Sequence, residues 1–308
     1  MARLEFTLRA RAPFRLDHTV WALRRRPHNA IDQFDAGAWR RVLVIDGKPV
    51  ALAVRQLRAG TRPAIEITAT GAAATRAARA EIESIVTRTL GLERDLAPFY
   101  RMAERDPVLA PIVARLSGMK PPRFPTVFEA FGNAISGQLV SLTAGLHVLN
   151  RVAGAYGLET ECDGVASHSF PQPRLLVRST PDELRALGLS RPKARYLIDL
   201  ARVAMNPRDR DFGSLEALDD SEAIKRLCAL AGVGRWTAEY VLLRGLGRVH
   251  IFPGDDVGGQ NGLAKFLGID RKLDHAEVGA LLTRWHPYAG LIYLHLLVDA
   301  LAQRGNEP

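Results

Sequence analysis

Residues 221–267, SEAIKRLCALAGVGRWTAEYVLLRGLGRVHIFPGDDVGGQNGLAKFL, hold the side chains best suited to chemistry. Gly232-Val233-Gly234 makes a two-glycine turn in which Val233 can anchor in the core. The turn's backbone amides, uncovered by side chains, then face outward at the start of the next helix, where a phosphate binds readily. Such contacts, made by Gly232, Val233, Gly234 and Arg235, grip a phosphate backbone without reading sequence. Trp236 and Tyr240 are four positions apart and share one face of that helix. Their electron-rich rings attract a stacked cation by about 1–2 kcal/mol when water is excluded. After the Phe252-Pro253 turn stand two adjacent carboxylates, Asp255 and Asp256. A carboxylate beside a carbon that develops positive charge can stabilise that charge and orient or deprotonate a water.

These groups require a helical frame, and the sequence supplies one. Ile224, Leu227, Cys228 and Leu230 are expected on one apolar face before the turn, with Ala238, Val241 and Leu242 facing back after it, so a helix-hairpin-helix spans about 222–246. Upstream, Thr126 with Glu129 reads as a capping box opening a helix with Phe128, Phe131, Ala134 and Ile135 on its apolar side. A break at Gly137-Gln138 separates it from a second helix through Leu146 and Val152. Thr180-Pro181-Asp182-Glu183 opens a short helix that Gly188 ends, and RPKARYLIDLARVAM is a further amphipathic helix. Residues 158–180 and 206–214 have no regular period and read as surface loops.

The first 92 residues follow a different pattern. Residues 4–12 alternate, with Leu4, Phe6, Leu8 and Ala10 on one face, as a half-buried strand requires. Residues 41–57 hold two β-branched runs around Asp46-Gly47, a type I′ hairpin signal, and 63–71 supply another strand. Asp17 is placed to cap a helix before the hairpin, and a helix over 74–90 should end at Gly91. The fold class is therefore α+β: a small antiparallel domain over 1–92, then an all-helical region over 93–308. No internal repeat is present, and the stretch at 72–80 is rich in Ala and Arg.

Composition narrows the function. With 42 Lys+Arg against 33 Asp+Glu, the formal charge of +9 favours a polyanionic partner. Two cysteines, Cys162 and Cys228, cannot build a four-thiolate cluster or a disulfide scaffold, and they fit a reducing compartment. The eight histidines show no pairing at metal-ligand spacing, so no metal site is expected. The start MARLEFTLRARAPF lacks a signal peptide's apolar core, and GLIYLHLLVDALA is broken by His295 and Asp299 short of a membrane span. The expectation is a cytoplasmic protein, nucleoid-associated if bacterial, without membrane contact.

Leu230, Gly232-Val233-Gly234, Phe252-Pro253 and Asp256, twenty positions after Trp236, resemble the helix-hairpin-helix (HhH-GPD) DNA glycosylase superfamily of base-excision repair. FEAFGNAISGQLVS at 128–141, GLSRPKARYL at 188–197 and RWHPYAGLIYLHLL at 284–297 extend the resemblance to the 3-methyladenine DNA glycosylase II branch, over nearly the whole chain. In that branch a small mixed domain precedes a two-lobed helical enzyme that removes alkylated purines of the 3-methyladenine and 7-methylguanine type. The resemblance implies double-stranded damaged DNA as partner, a monomer, and no cofactor beyond a structural monovalent cation at the hairpin carbonyls.

The resemblance also distributes roles. Asp256 is the catalytic residue, and Asp255 is left to cap the following helix. Trp236 and Tyr240 line the base pocket. Gln138 and Leu139 form the wedge that fills the stack when the nucleotide is flipped out, a step needed because duplex DNA hides the glycosidic bond. Val257 and Leu297 occupy pocket positions where relatives carry aromatics, so Phe131, Tyr288 and Tyr293 are the candidate substitutes. Strand-nicking relatives carry a lysine two positions after the second hairpin glycine; Trp236 stands here and cannot form a Schiff base. The enzyme is therefore expected to be monofunctional. Lys193 and Arg195 are candidates for phosphate contact. The alternatives are a glycosylase for deaminated bases (hypoxanthine, uracil) and a lesion-binding protein that does not cut. Residues 1–92 carry 16 Lys+Arg against 8 Asp+Glu and the remainder 26 against 25, so DNA binding through the helical part should depend only weakly on salt.

Overall fold

A computed structural model describes residues 2–162 and 164–303. The N-terminal part is a five-stranded antiparallel sheet built from β1 (Arg3–Arg9), β2 (Gln33–Asp35), β3 (Ala38–Ile45), β4 (Lys48–Arg58) and β5 (Ala64–Thr70), in the order β1-β5-β4-β3-β2. Ile45 pairs with Lys48 across the β3–β4 turn, where Asp46 and Gly47 adopt φ of 48° and 73°, the positive pair that a type I′ turn needs. Helix α1 (Leu16–Arg24) fills the β1–β2 connection, and α2 (Arg79–Leu90) follows the sheet and ends at Gly91 in the left-handed conformation. Asp17 does not cap α1. Arg15 holds the cap position, and Asp17 lies inside the first turn, paired with the Arg15 guanidinium. Helix α2 begins at Arg79, five residues later than periodicity suggests.

The remainder is helical: α3 (Ala97–Glu104), α4 (Ala110–Arg115), α5 (Val127–Gly137), α6 (Leu142–Tyr156), α7 (Pro173–Leu176), α8 (Pro181–Ala186), α9 (Arg191–Ala204), α10 (Asp220–Cys228), α11 (Arg235–Arg244), α12 (Val257–Phe266), α13 (His275–Leu282) and α14 (Ala289–Ala302). Two regions expected as loops have regular structure. Residues 158–180 hold the hairpin β6 (Glu159–Cys162) and β7 (Val165–His168) together with α7, and a 3₁₀ segment covers Arg210–Ala217. Cys228 also departs from expectation: it is exposed, and Ala223 and Leu227 carry the buried face of α10.

Two apolar clusters organise the molecule. One joins the sheet (Phe6, Ile65, Ile67) to α5, α9 and α11; the other joins Trp21 and Ala22 of α1 to α3, α4 and α12–α14. Helices α5 and α11 belong to the first cluster and α12 and α14 to the second, so the seam between them is where a cavity can open. Thr126 accepts from the Glu129 amide at 3.0 Å, but the reciprocal half of that capping box is absent. The Glu129 carboxylate turns instead to the buried Arg41 guanidinium at 2.5 Å, and Arg41 also pairs with Asp32 at 2.8 Å. This ion cluster ties β3 to α5.

His295 in α14 is fully buried beside Phe99, with its ring centroid 5.3 Å away. Its Nδ1 lies 2.7 Å from the Leu291 carbonyl, and burial pushes its pKa down to about 4 from 6.5. A depressed folded-state value means that the unfolded chain takes up the proton first, so stability present above pH 6.5 is lost as pH falls towards 4. The loss attributable to His295 is on the order of 3 kcal/mol. Urea unfolding at pH 7 and pH 4.5 should show a smaller drop for His295→Phe than for the wild type.

Candidate active site

Helix α10 delivers the chain to the hairpin, and Gly232 makes the turn possible. Its φ is 78°, and a Cβ there would lie 2.2 Å from the Tyr196 ring, so only glycine fits. Val233 is buried as anticipated, which fixes the hairpin in the core. One amide is lost to the turn itself: Val233 N–H donates to Leu230 O at 3.1 Å and cannot serve a ligand. The amides of Gly232 and Gly234 have no partner among the described residues, and α11 begins at Arg235. Arg235 is exposed and pairs with Glu239 at 3.0 Å. Leu230 O and Gly232 O accept hydrogen bonds, from Val233 and Gln138.

Helix α11 then presents Trp236 and Tyr240 side by side, with centroids 5.6 Å apart and planes at 31°. Trp236 Nε1 donates to Asp256 Oδ2 at 2.8 Å. The other carboxylate oxygen accepts from Gly259 N–H at 2.6 Å, because Asp256 is itself the N-cap of α12. Asp255 therefore does not cap that helix; it is exposed and stands one residue too early. Asp256 is held by a side chain of one lobe and a backbone amide of the other. The turn carrying it is braced from behind, where the buried Glu239 carboxylate accepts from Gly254 N–H at 2.9 Å.

Asp256, Trp236 and Tyr240 open onto a cavity of about 440 Å³, which Val257, Leu296, Leu297 and Tyr293 also line. Val257 at the start of α12 is 68% exposed, at the mouth of the cavity. Of the three candidate aromatics, Tyr293 lines this cavity. It packs edge-on against Phe252 at 5.2 Å, and burial together with the nearby Asp256 charge pushes its hydroxyl well above the ordinary tyrosine range. Phe131 does not reach the cavity: it is wholly buried and packs on Phe212 at 4.8 Å. Tyr288 is likewise elsewhere, against Phe99 at 5.4 Å.

The break after α5 produces the most exposed large apolar side chain among the described residues. Leu139 has a relative exposure of 104% and a φ of 55°. A leucine in the left-handed region, pointed at solvent, is strained backbone that only its surroundings maintain. Those surroundings are two cross-braces. Lys193 Nζ donates to Gln138 O at 2.6 Å, and Gln138 Nε2 donates to Gly232 O at 2.9 Å and to Thr237 Oγ1 at 3.1 Å. Gln138 thus faces inward and couples Leu139 to the hairpin rather than projecting with it. Lys193 is spent on the same loop, with its pKa lowered by burial, while Arg195 is exposed.

Sequence reasoning missed Arg25, Asn133 and Arg244, which line the cavity. Arg25 follows α1 within a run of three arginines, yet it is buried and donates to Asn133 Oδ1 at 2.5 Å. No local signal distinguishes it.

A family model described as HhH-GPD superfamily base excision DNA repair protein matches residues 133–287. The chain belongs to this superfamily. The matched HhH-GPD segment runs from within α5 to Pro287 and so contains the hairpin, Trp236, Tyr240 and Asp256. The chain is 29% identical over 218 residues to a DNA-3-methyladenine glycosylase of Bacillus subtilis (strain 168), covering 71% of this chain and 72% of that one. It is 32% identical over 182 residues to DNA-3-methyladenine glycosylase 2 of Escherichia coli (strain K12), covering 58% of this chain and 60% of the relative. Among solved structures, a 3-methyladenine DNA glycosylase from Archaeoglobus fulgidus superposes with a TM-score of 0.80 at 24% identity, over 97% of both chains. That likeness establishes the fold, including the sheet domain that precedes the HhH-GPD region. No helix among the described residues is long and apolar enough to cross a membrane.

Proposed function

We propose that this HhH-GPD protein is a monofunctional DNA glycosylase of base-excision repair that hydrolyses the N-glycosidic bond of alkylated purines in double-stranded DNA. The single observation that carries the reading is the cavity in which Asp256, held by Trp236 Nε1 and Gly259 N–H, lies beside the Trp236 and Tyr240 rings. The names of the Bacillus and Escherichia relatives support the substrate class. Gly232, Gly234 and Arg235 amides hold the phosphate backbone, and Leu139 fills the stack vacated by the flipped nucleotide.

Within the cavity the base stacks on Trp236. The indole donates its N–H to a carboxylate, which enriches the ring and strengthens its attraction for a base alkylated on a ring nitrogen. As the glycosidic bond breaks, the sugar gains oxocarbenium character. Asp256 stabilises that charge and orients a water, whose oxygen bonds to C1′ while the base leaves with the bonding pair. The water's remaining proton passes to Asp256 or solvent. A cationic purine leaves as a neutral molecule, so one carboxylate is enough.

The hairpin position that would need a lysine for strand cleavage holds Trp236, whose side chain has no amine. A duplex with one 3-methyladenine or 7-methylguanine should therefore stay full length after incubation and break only after hot alkali. Strand breaks without alkali would refute the monofunctional reading.

A further inference from the structure

Behind the turn that carries Asp256 lies a second cavity, of about 270 Å³, lined by Glu239, His250, Phe252, Gly254 and His275. Packing therefore does not close that side of the turn. Asp256 N–H donates to Pro253 O at 2.9 Å, and Gln260 Nε2 of α12 donates to Gly254 O at 2.8 Å. These bonds travel with the turn and α12 and do not fix their distance from α11. Across to α11 the turn makes two hydrogen bonds: Trp236 Nε1 to Asp256 Oδ2 at 2.8 Å, and Gly254 N–H to Glu239 Oε2 at 2.9 Å. Trp236 and Glu239 are three positions apart and share a face of α11.

Glu239 is only 5% exposed. Its Oε1 accepts from Arg235 Nε at 3.0 Å and lies 3.0 Å from Nε2 of His275, at the start of α13. The His275 ring packs on the turn: a Cβ on Gly254 would lie 2.5 Å from its Cδ2. Replacing buried ion pairs by apolar side chains often leaves stability unchanged or raised, so stability alone does not call for a carboxylate here. What the carboxylate supplies is direction. It gathers donors from the hairpin, the turn and α13 at one point, each in a defined geometry. Arg235 is held through Nε, while its side chain stays 57% exposed and its Nη1 and Nη2 have no partner among the described residues. That leaves the Nη1–Nη2 edge for a phosphate.

We propose that Glu239 is a positioning residue with two tasks: it holds the Gly254 turn, and with it Asp256, in register with α11, and it aims the Arg235 guanidinium at the DNA backbone. One side chain thereby couples the grip on phosphate to the place of the reacting carboxylate. The inference rests on Asp256 being the catalytic residue of the hydrolase proposed above. During the reaction Asp256 shares its charge among Trp236, the sugar and the water. Gly254 N–H takes no part in that chemistry, so its bond to Glu239 keeps the turn from yielding into the cavity behind it. The stake is large, because a misplacement of about 1 Å costs about 10²-fold in rate.

Wild type, Glu239→Gln and Glu239→Leu separate the two tasks. A glutamine oxygen still accepts from Gly254 N–H, but its NH₂ meets Arg235 Nε donor against donor. Single-turnover release from a 7-methylguanine duplex, with enzyme in saturating excess, gives a rate constant that partial unfolding does not change. Glu239→Leu should lower it about 10- to 100-fold, and Glu239→Gln should restore most of it. Affinity for an abasic-site duplex should fall about three- to tenfold in both variants, because neither aims Arg235. An unchanged rate constant in Glu239→Leu, equal slowing in both variants, or affinities equal to wild type would overturn the proposal. Two further readouts do not need catalysis. Arg235→Met should weaken the abasic-site complex less in the Glu239→Gln background than in wild type, and equal losses would overturn the coupling. Glu239→Leu should move the tryptophan emission towards that of Asp256→Asn, in which Trp236 loses its carboxylate partner; emission identical to wild type would overturn the hold on Asp256. An absence of base release by the wild type would count against the hydrolase reading, while these two readouts still decide the role of Glu239.

Discussion

Asp256→Asn is expected to release base about 10²- to 10⁴-fold more slowly than wild type while folding normally and still binding abasic-site DNA. Asparagine is as good an N-cap as aspartate, so the substitution keeps the Gly259 N–H bond that starts α12. Its single oxygen is used there, and the amide NH₂ then meets the Trp236 N–H, donor against donor. What is removed is the negative charge and the water's acceptor. Asp256→Ala would also remove the cap, at about 1 kcal/mol, and so mix a folding effect into the result. Single-turnover release and affinity for an abasic-site duplex separate the two. Unchanged turnover would transfer attention to Asp255, which is exposed.

Leu139→Gly should lower release from duplex DNA by roughly 10- to 100-fold, because unstacking a base step costs a few kcal/mol and nothing else fills the gap. The same variant should melt no earlier than wild type. Leu139 is fully exposed, so no packing is lost, and glycine adopts a φ of 55° without the strain that leucine carries. Release from a single-stranded substrate, which has no stack to open, should hardly change. A parallel loss on both substrates would show that Leu139 acts on the pocket rather than as a wedge. Together these results would separate the chemical step, which belongs to α12 and α11, from extrusion, which belongs to the α5–α6 break.

The parts of the site that the sequence reveals are those made by local chain. The hairpin glycines, the helix carrying Trp236 and Tyr240, and the turn before Asp256 lie within one short stretch, and each is dictated by turn chemistry or helical period. Phe131 is misread for a physical reason. Helix α5 is buried nearly all round, so periodicity cannot tell the side that meets the cavity from the side that meets Phe212. Asn133, two residues later, reaches the pocket, as does Gly137. Arg25 and Arg244 come from distant points of the chain and meet only after folding, and basic residues in a run read as solvated. The β6–β7 hairpin escapes notice because four-residue strands are too short to establish alternation. Glu129 shows tertiary contacts overriding a local motif: a capping-box glutamate is taken by Arg41 from the sheet.

The excess charge of the first 92 residues also takes on a different meaning. Arg24, Arg25 and Arg41 are buried, with Arg25 in the pocket and Arg41 in an ion cluster, so they are not available for the duplex backbone.

Everything above turns on hydrolytic release of damaged purines from DNA in this cavity. Its most direct test is to incubate the full chain with dimethyl-sulfate-treated duplex DNA and chromatograph the small molecules released. Free 3-methyladenine or 7-methylguanine is expected from the wild type and almost none from Asp256→Asn. No released base with the wild type, or the same amount from both proteins, would contradict it.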